Sequence, residues 1–187
     1  MPFARDTQYR IFWRIGRNAY CRRQLVYRFI RREQCHEQSP ASNEVRPPFR
    51  HVPTYLAGYY KYKAGDQFTE GGKPVEGKHD ICDIYAIMYE TSVSVPTLDG
   101  TNAFTSPNLV SMARIKDAKE TDEWTYFKLP FTTLPGKFID KEKLTMGKYN
   151  ISIVFTSSLE GDHFNGAIGS TLLIDEAELI YRSNLDH

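Results

Sequence analysis

Between Ser157 and Ser170 the chain sets Asp162, His163 and Asn165 around Phe164, with Gly161, Gly166 and Gly169 spaced through the same segment. Sugars need that combination, because hydroxyls take directed polar partners while the C–H face of a pyranose packs on an aromatic ring. The same residues would also serve an ordinary hairpin loop in which the glycines supply positive φ. Both readings stay open at this level.

Asp175 is a second candidate, lying between Leu172-Leu173-Ile174 and Glu176-Ala177-Glu178-Leu179. If Leu173, Ala177, Leu179 and Tyr181 form the inward face of a strand, alternation turns Asp175 inward as well. A lone buried carboxylate must be paired or bound to a cation. Calcium takes about 6 to 8 oxygens, so Asp175 would be one metal ligand among several. The competing expectation is a bulge that turns Asp175 to solvent.

Six aromatic residues, Tyr59, Tyr62, Tyr85, Tyr89, Trp124 and Tyr126, fall in strand-like segments. Most are expected to be interior, since a packed sheet needs bulky core residues. Lys61 and Lys63 share the parity of Tyr59, which marks that face as the wetter one and Tyr59 as an exposed ring able to stack on a sugar. Catalytic residues are not indicated. A glycosidase holds two carboxyls about 5 to 9.5 Å apart, and Asp83 with Asp162 or Glu176 could be paired on paper, but nothing in their spacing singles them out. There is no nucleophile elbow, phosphate loop or His-rich metal motif.

The elements that must position these residues are short strands separated by turn chemistry. Strands are expected over 55–63, 80–90, 109–115, 124–131, 149–155 and 171–182. The clearest alternation is Tyr149, Ile151, Ile153 and Phe155 on one face, with Asn150, Ser152, Val154 and Thr156 on the other. Pro96, Asp99-Gly100 and Pro107 make 91–108 a long surface connection. Six strands without convincing intervening helices predict an all-β fold, an antiparallel sandwich. Weak helical spacing appears only around Tyr20 to Glu33.

The chain has 187 residues with 41% hydrophobic and 13% aromatic content, enough for one packed domain with an appendage. Its net charge of +1 hides two regimes. Residues 1–50 carry 11 Arg, no Lys and 4 acidic residues, whereas the remainder carries 2 Arg, 11 Lys and 19 acidic residues. Residues 1–46 therefore read as an atypical Arg-rich arm and linker, ending at Pro47-Pro48, and residues 47–187 as the folded domain. An out-of-frame start would give this switch, and so would a basic arm for an anionic partner. Cys21, Cys35 and Cys82 form neither a disulfide framework nor a metal pattern; Cys82 is expected to be a small buried residue. Arg residues interrupt every candidate signal peptide, and no apolar stretch approaches the roughly 18 residues of a membrane span.

The segment Ser157 to Leu179, with Tyr55-Leu56-Ala57-Gly58-Tyr59-Tyr60-Lys61-Tyr62-Lys63-Ala64-Gly65 and Asp80-Ile81-Cys82-Asp83-Ile84-Tyr85-Ala86, resembles the carbohydrate metabolism domain family of gut bacteria. The resemblance covers about residues 47–182. It implies a galactose-binding-like, jelly-roll β-sandwich, a glycan or oligosaccharide as partner, and Asp175 as ligand to a structural calcium. It implies export to the periplasm or cell surface, with adjoining domains in a longer parent protein, and no nucleic-acid role. The reading that follows is a non-catalytic carbohydrate-binding module; a glycoside hydrolase and a structural adhesion module without a sugar ligand are the alternatives.

Overall fold

The computed structural model describes residues 9–10, 25–28, 51–95, 97–98, 102–163 and 165–181, with the backbone alone for 9–10, 25–28 and Asp162. Its strands in chain order are β1 (Tyr9–Arg10), β2 (Leu25–Arg28), β3 (Pro53–Lys63), β4 (Phe68–Glu70), β5 (Lys73–Pro74), β6 (Asp83–Glu90), β7 (Leu109–Arg114), β8 (Thr121–Pro130), β9 (Thr132–Thr133), β10 (Tyr149–Thr156), β11 (Gly166–Ala167) and β12 (Thr171–Tyr181). All described pairings are antiparallel. One sheet runs β1-β12-β3-β8, the second β2-β10-β6-β7-β9, and a small third sheet β11-β4-β5. The chain is an antiparallel β-sandwich.

Alternation decides what each sheet buries. Tyr149, Ile151, Ile153 and Phe155 of β10 join Ile84, Ala86 and Met88 of β6 in the main core, against Leu56, Tyr60 and Tyr62 of β3 and Ile174, Ala177 and Leu179 of β12. The opposite face of β6, with Tyr85, Ile87 and Tyr89, packs with Val154, Leu98, Ala103 and Leu109 in a second cluster. Here Leu98 and Ala103, from the connection between β6 and β7, cover the outer side of the second sheet, which is why β6 is apolar on both faces. Cys82 is 2% exposed and burial pushes its thiol up to about 12, so it packs as a small apolar residue rather than serving as a nucleophile.

Two local expectations change. Within the segment with helical spacing, Leu25–Arg28 is a strand whose residues 25–28 pair with Phe155 to Ser152 of β10. A free strand edge with the β-favouring Leu-Val-Tyr sequence outweighs a weak helical period. Conversely, a five-residue helix, α1 (Lys141–Thr145), precedes β10; Asp140 caps it by accepting the Glu142 and Lys143 N–H groups at 2.8 and 3.0 Å.

Candidate functional site

The outer face of the first sheet is built by register. Tyr59 of β3 stands opposite Tyr126 of β8 on one side and opposite Asp175 of β12 on the other. Because side chains alternate at every residue, Trp124 and Lys128 point the same way as Tyr126, and Lys61 the same way as Tyr59. Trp124 is 45% exposed and Tyr126 52%. The Tyr59 and Tyr126 rings lie 5.2 Å apart at 55°, Lys61 Nζ sits 5.1 Å from the Trp124 ring, and Lys128 Nζ sits 4.4 Å from the Tyr55 ring. Burial, then the Glu178 charge and Tyr59, raise the Tyr126 phenol above its ordinary value. The result is a row of three rings with lysines along it and the acids Asp175 and Glu178 beside it. Such a surface offers apolar area for stacking and fixed charges that hydrogen-bond hydroxyls.

Asp175 belongs to this outer face. Between the Tyr59–Asp175 and Ala57–Glu178 pairs, β3 advances two residues and β12 three, so one extra residue is accommodated there as a β-bulge. The bulge switches the parity of β12: Ile174 is buried before it and Ala177 and Leu179 after it, while Leu173 is 38% exposed. The expectation that Leu173 and Asp175 share the inward face with Ala177 is thereby corrected. Glu176 takes a left-handed backbone, φ 47°, and Asp175 Oδ1 accepts its N–H at 2.9 Å. Gly58 faces the bulge across the ladder, where a Cβ would lie 2.9 Å from Phe127 Cζ and 3.1 Å from Ala177 Cα. Asp175 thus has a hydrogen-bond partner and is half-buried. Among the described residues no group of three or more His, Cys, Asp or Glu side chains could hold a metal ion.

The 157–170 segment sits at the Lys63 end of β3, since Thr171 pairs with Lys63. Tyr59 is four residues back along that strand, about 13 Å at the usual rise of roughly 3.3 Å per residue. Asp162 and His163 fall in a single 3-10 turn, Gly161–His163. His163 is exposed and Phe164 lies outside the described residues. Asn165 is committed within the protein, accepting the Gly71 N–H at 3.2 Å and donating to Glu160 Oε2 at 3.0 Å.

What fixes this segment is Asp80, which the sequence reading did not single out. Its carboxylate is 4% exposed and Oδ2 accepts from Ser158 Oγ at 2.6 Å, Ser170 Oγ at 2.6 Å and the Ala167 N–H at 2.9 Å. Ser170 Oγ in turn accepts the Gly65 N–H at 3.0 Å. A Cβ on Gly166 would lie 2.6 Å from Ser158 Oγ, so only glycine lets the backbone approach this network. Buried nearby, Tyr62 has its phenol raised by burial and then by the Asp80 charge. No local pattern marks Asp80, because the donors to its Oδ2 are 78 to 90 residues away; only the Ile81 N–H, on Oδ1 at 3.0 Å, is local.

A second buried carboxylate, Asp83, opens β6 at 3% exposure. Arg114 Nε donates to Oδ1 and Oδ2 at 3.1 and 2.9 Å, with Nη2 at 2.7 Å from Oδ2. The guanidinium carbon lies 4.3 Å from the Phe104 ring. Burial raises the Asp83 pKa and Arg114 pulls it back. Asp83 is therefore a structural ion pair rather than a free acid available to a glycosidase pair.

The family model described as "Putative carbohydrate metabolism domain" matches residues 37–180, ten residues earlier than the resemblance read from the sequence. Two solved structures are similar. One, called a putative glycoside hydrolase from Bacteroides thetaiotaomicron VPI-5482, is 88% identical with a TM-score of 0.71, over 74% of this chain and 40% of that one. The other, called a putative glycoside hydrolase from Bacteroides vulgatus ATCC 8482, is 46% identical with a TM-score of 0.67, over 73% of this chain and 55% of that one. This chain thus spans about half or less of their length. No curated protein matches it.

Proposed function

The chain belongs to the putative carbohydrate metabolism domain family, and on that premise we propose that it is a non-catalytic carbohydrate-binding module within a longer exported protein. The row Trp124–Tyr126–Tyr59 carries this reading: two of its rings are about half exposed on a sheet face whose other side already forms the core. A glycan chain would lie along the rings, with its hydroxyls meeting Lys61, Asp175 and Glu178. The buried carboxylates Asp80 and Asp83 are engaged by Ser158, Ser170, Ala167 and Arg114, so neither is offered here as a catalytic acid. The names of the two similar structures keep a glycoside hydrolase as the second reading, with this chain as one part of such a protein.

A glycan array probed with the intact chain tests the proposal. Trp124→Ala and Tyr126→Ala should each weaken binding to the polysaccharide found there by about 1 to 2 kcal/mol through lost stacking area, with the melting temperature unchanged. The bound glycan should be recovered uncut. Release of new reducing ends would establish the hydrolase reading, and silence across the array would favour an adhesion module.

A further inference from the structure

Among the described residues β8 is an outer strand of the first sheet. Between β8 and the 115–120 connection lies a cleft of about 520 Å³, floored by Tyr60, Phe127 and Leu129 and rimmed by Asp117, Glu120 and Thr125. Its volume falls in the roughly 300 to 1,000 Å³ range of small-molecule sites. Tyr60 is 5% exposed. Its hydroxyl accepts the Lys119 N–H at 3.3 Å, and its own proton goes to no acceptor among the described residues. The Asp117 carboxylate makes no hydrogen bond or ion pair among them either, and only one oxygen of Glu120 is committed, to the Ala64 N–H at 2.6 Å. An apolar floor, one unused phenolic donor and two carboxylate acceptors match a single sugar ring, which has an apolar C–H face, ring and hydroxyl oxygens that accept, and hydroxyl protons that donate.

We infer that this cleft binds one neutral pyranose unit, with the Tyr60 hydroxyl donating to a sugar oxygen and Asp117 and Glu120 accepting from adjacent sugar hydroxyls. The cleft also borders Tyr126 and Lys128, which belong to the exposed aromatic face. A glycan lying on that face would reach the cleft with a terminal or branching unit, and this continuity rests on the function proposed above. The pocket would select for the identity of that unit, whereas the open face would tolerate many chains.

Titration of the intact chain with methyl β-glucoside, methyl β-galactoside and methyl N-acetyl-β-glucosaminide, followed by amide NMR, tests the site. Saturable shifts confined to Thr121, Thr125, Phe127 and their neighbours are expected with at least one of the three. Tyr60→Phe and Asp117→Asn should each weaken that binding about fivefold or more. Asp117 is exposed, so its variant keeps the test informative if Tyr60→Phe does not fold. The proposal falls if none of the three sugars gives saturable shifts, if both variants bind like the wild type, or if the same amides shift only with protein concentration, which would mean pairing of β8 edges between copies. Glycoside binding without polysaccharide binding would sink the aromatic-face reading and leave the cleft; polysaccharide binding without glycoside shifts would do the reverse.

Discussion

Asp80 Oδ2 and Ser170 Oγ meet at 2.6 Å across 90 residues of sequence, and that bond closes the loop before β12 onto the turn before β6. With Ser158 and the Ala167 N–H on the same oxygen, the carboxylate takes three donors that water cannot easily replace. Asp80→Ala would leave these groups without an acceptor. It should destabilise the protein by about 3 kcal/mol or more, seen as a lower urea midpoint at unchanged slope. A loss under about 1 kcal/mol would mean that the loop is held by other contacts.

Arg114 neutralises a carboxylate that burial disfavours. Arg114→Met should destabilise by about 3 to 5 kcal/mol near neutral pH, because the Asp83 charge stays buried alone. The pH dependence has a definite sign. Asp83 has a folded pKa above its ordinary 3.8, so between those values the folded state holds the extra proton and stability falls as pH rises. Removing Arg114 takes away the pull that limits this shift. The gap between variant and wild type should therefore narrow as pH is lowered toward the folded value, and midpoints that stay parallel across pH would refute the assignment.

Asp175 braces the bulge by accepting the Glu176 N–H. Asp175→Ala should cost about 1 kcal/mol, while calcium or a chelator should leave the wild-type melting temperature where it is. A calcium-dependent rise lost in Asp175→Ala would restore the metal role by ligand linkage. Glu176→Gly should be neutral or slightly stabilising, by about 0.5 kcal/mol, since relief of the left-handed cost outweighs glycine's added freedom in the unfolded chain.

Deleting residues 1–45 should leave a cooperative melting transition, because the six long strands and both clusters lie between Pro53 and Tyr181. It would also remove β1 and β2, which pair with β12 and β10. Uncovered edges template association, so light scattering should show more self-association than in the full chain. Loss of the transition would show that the arm completes the fold.

Local pattern determined a good deal here. The period-two alternation of Tyr149 to Thr156 was enough to assign both faces of β10, and Lys61 and Lys63 were enough to turn Tyr59 outward, because a charged side chain and a core cannot share a face without a partner. The strand positions and the sandwich followed from the same signals. Tertiary structure decided the rest. Trp124 and Tyr126 became part of one surface with Tyr59 only through the β3–β8 register, and only folding brings Tyr60 of β3 to the cleft that Asp117 and Glu120 rim. Asp175 left the inward face because one added residue in β12 reverses every side chain beyond it, and Gly58 marks that event on another strand. Asp80 was silent in the sequence because a carboxylate advertises nothing about donors that folding brings from 78 to 90 residues away.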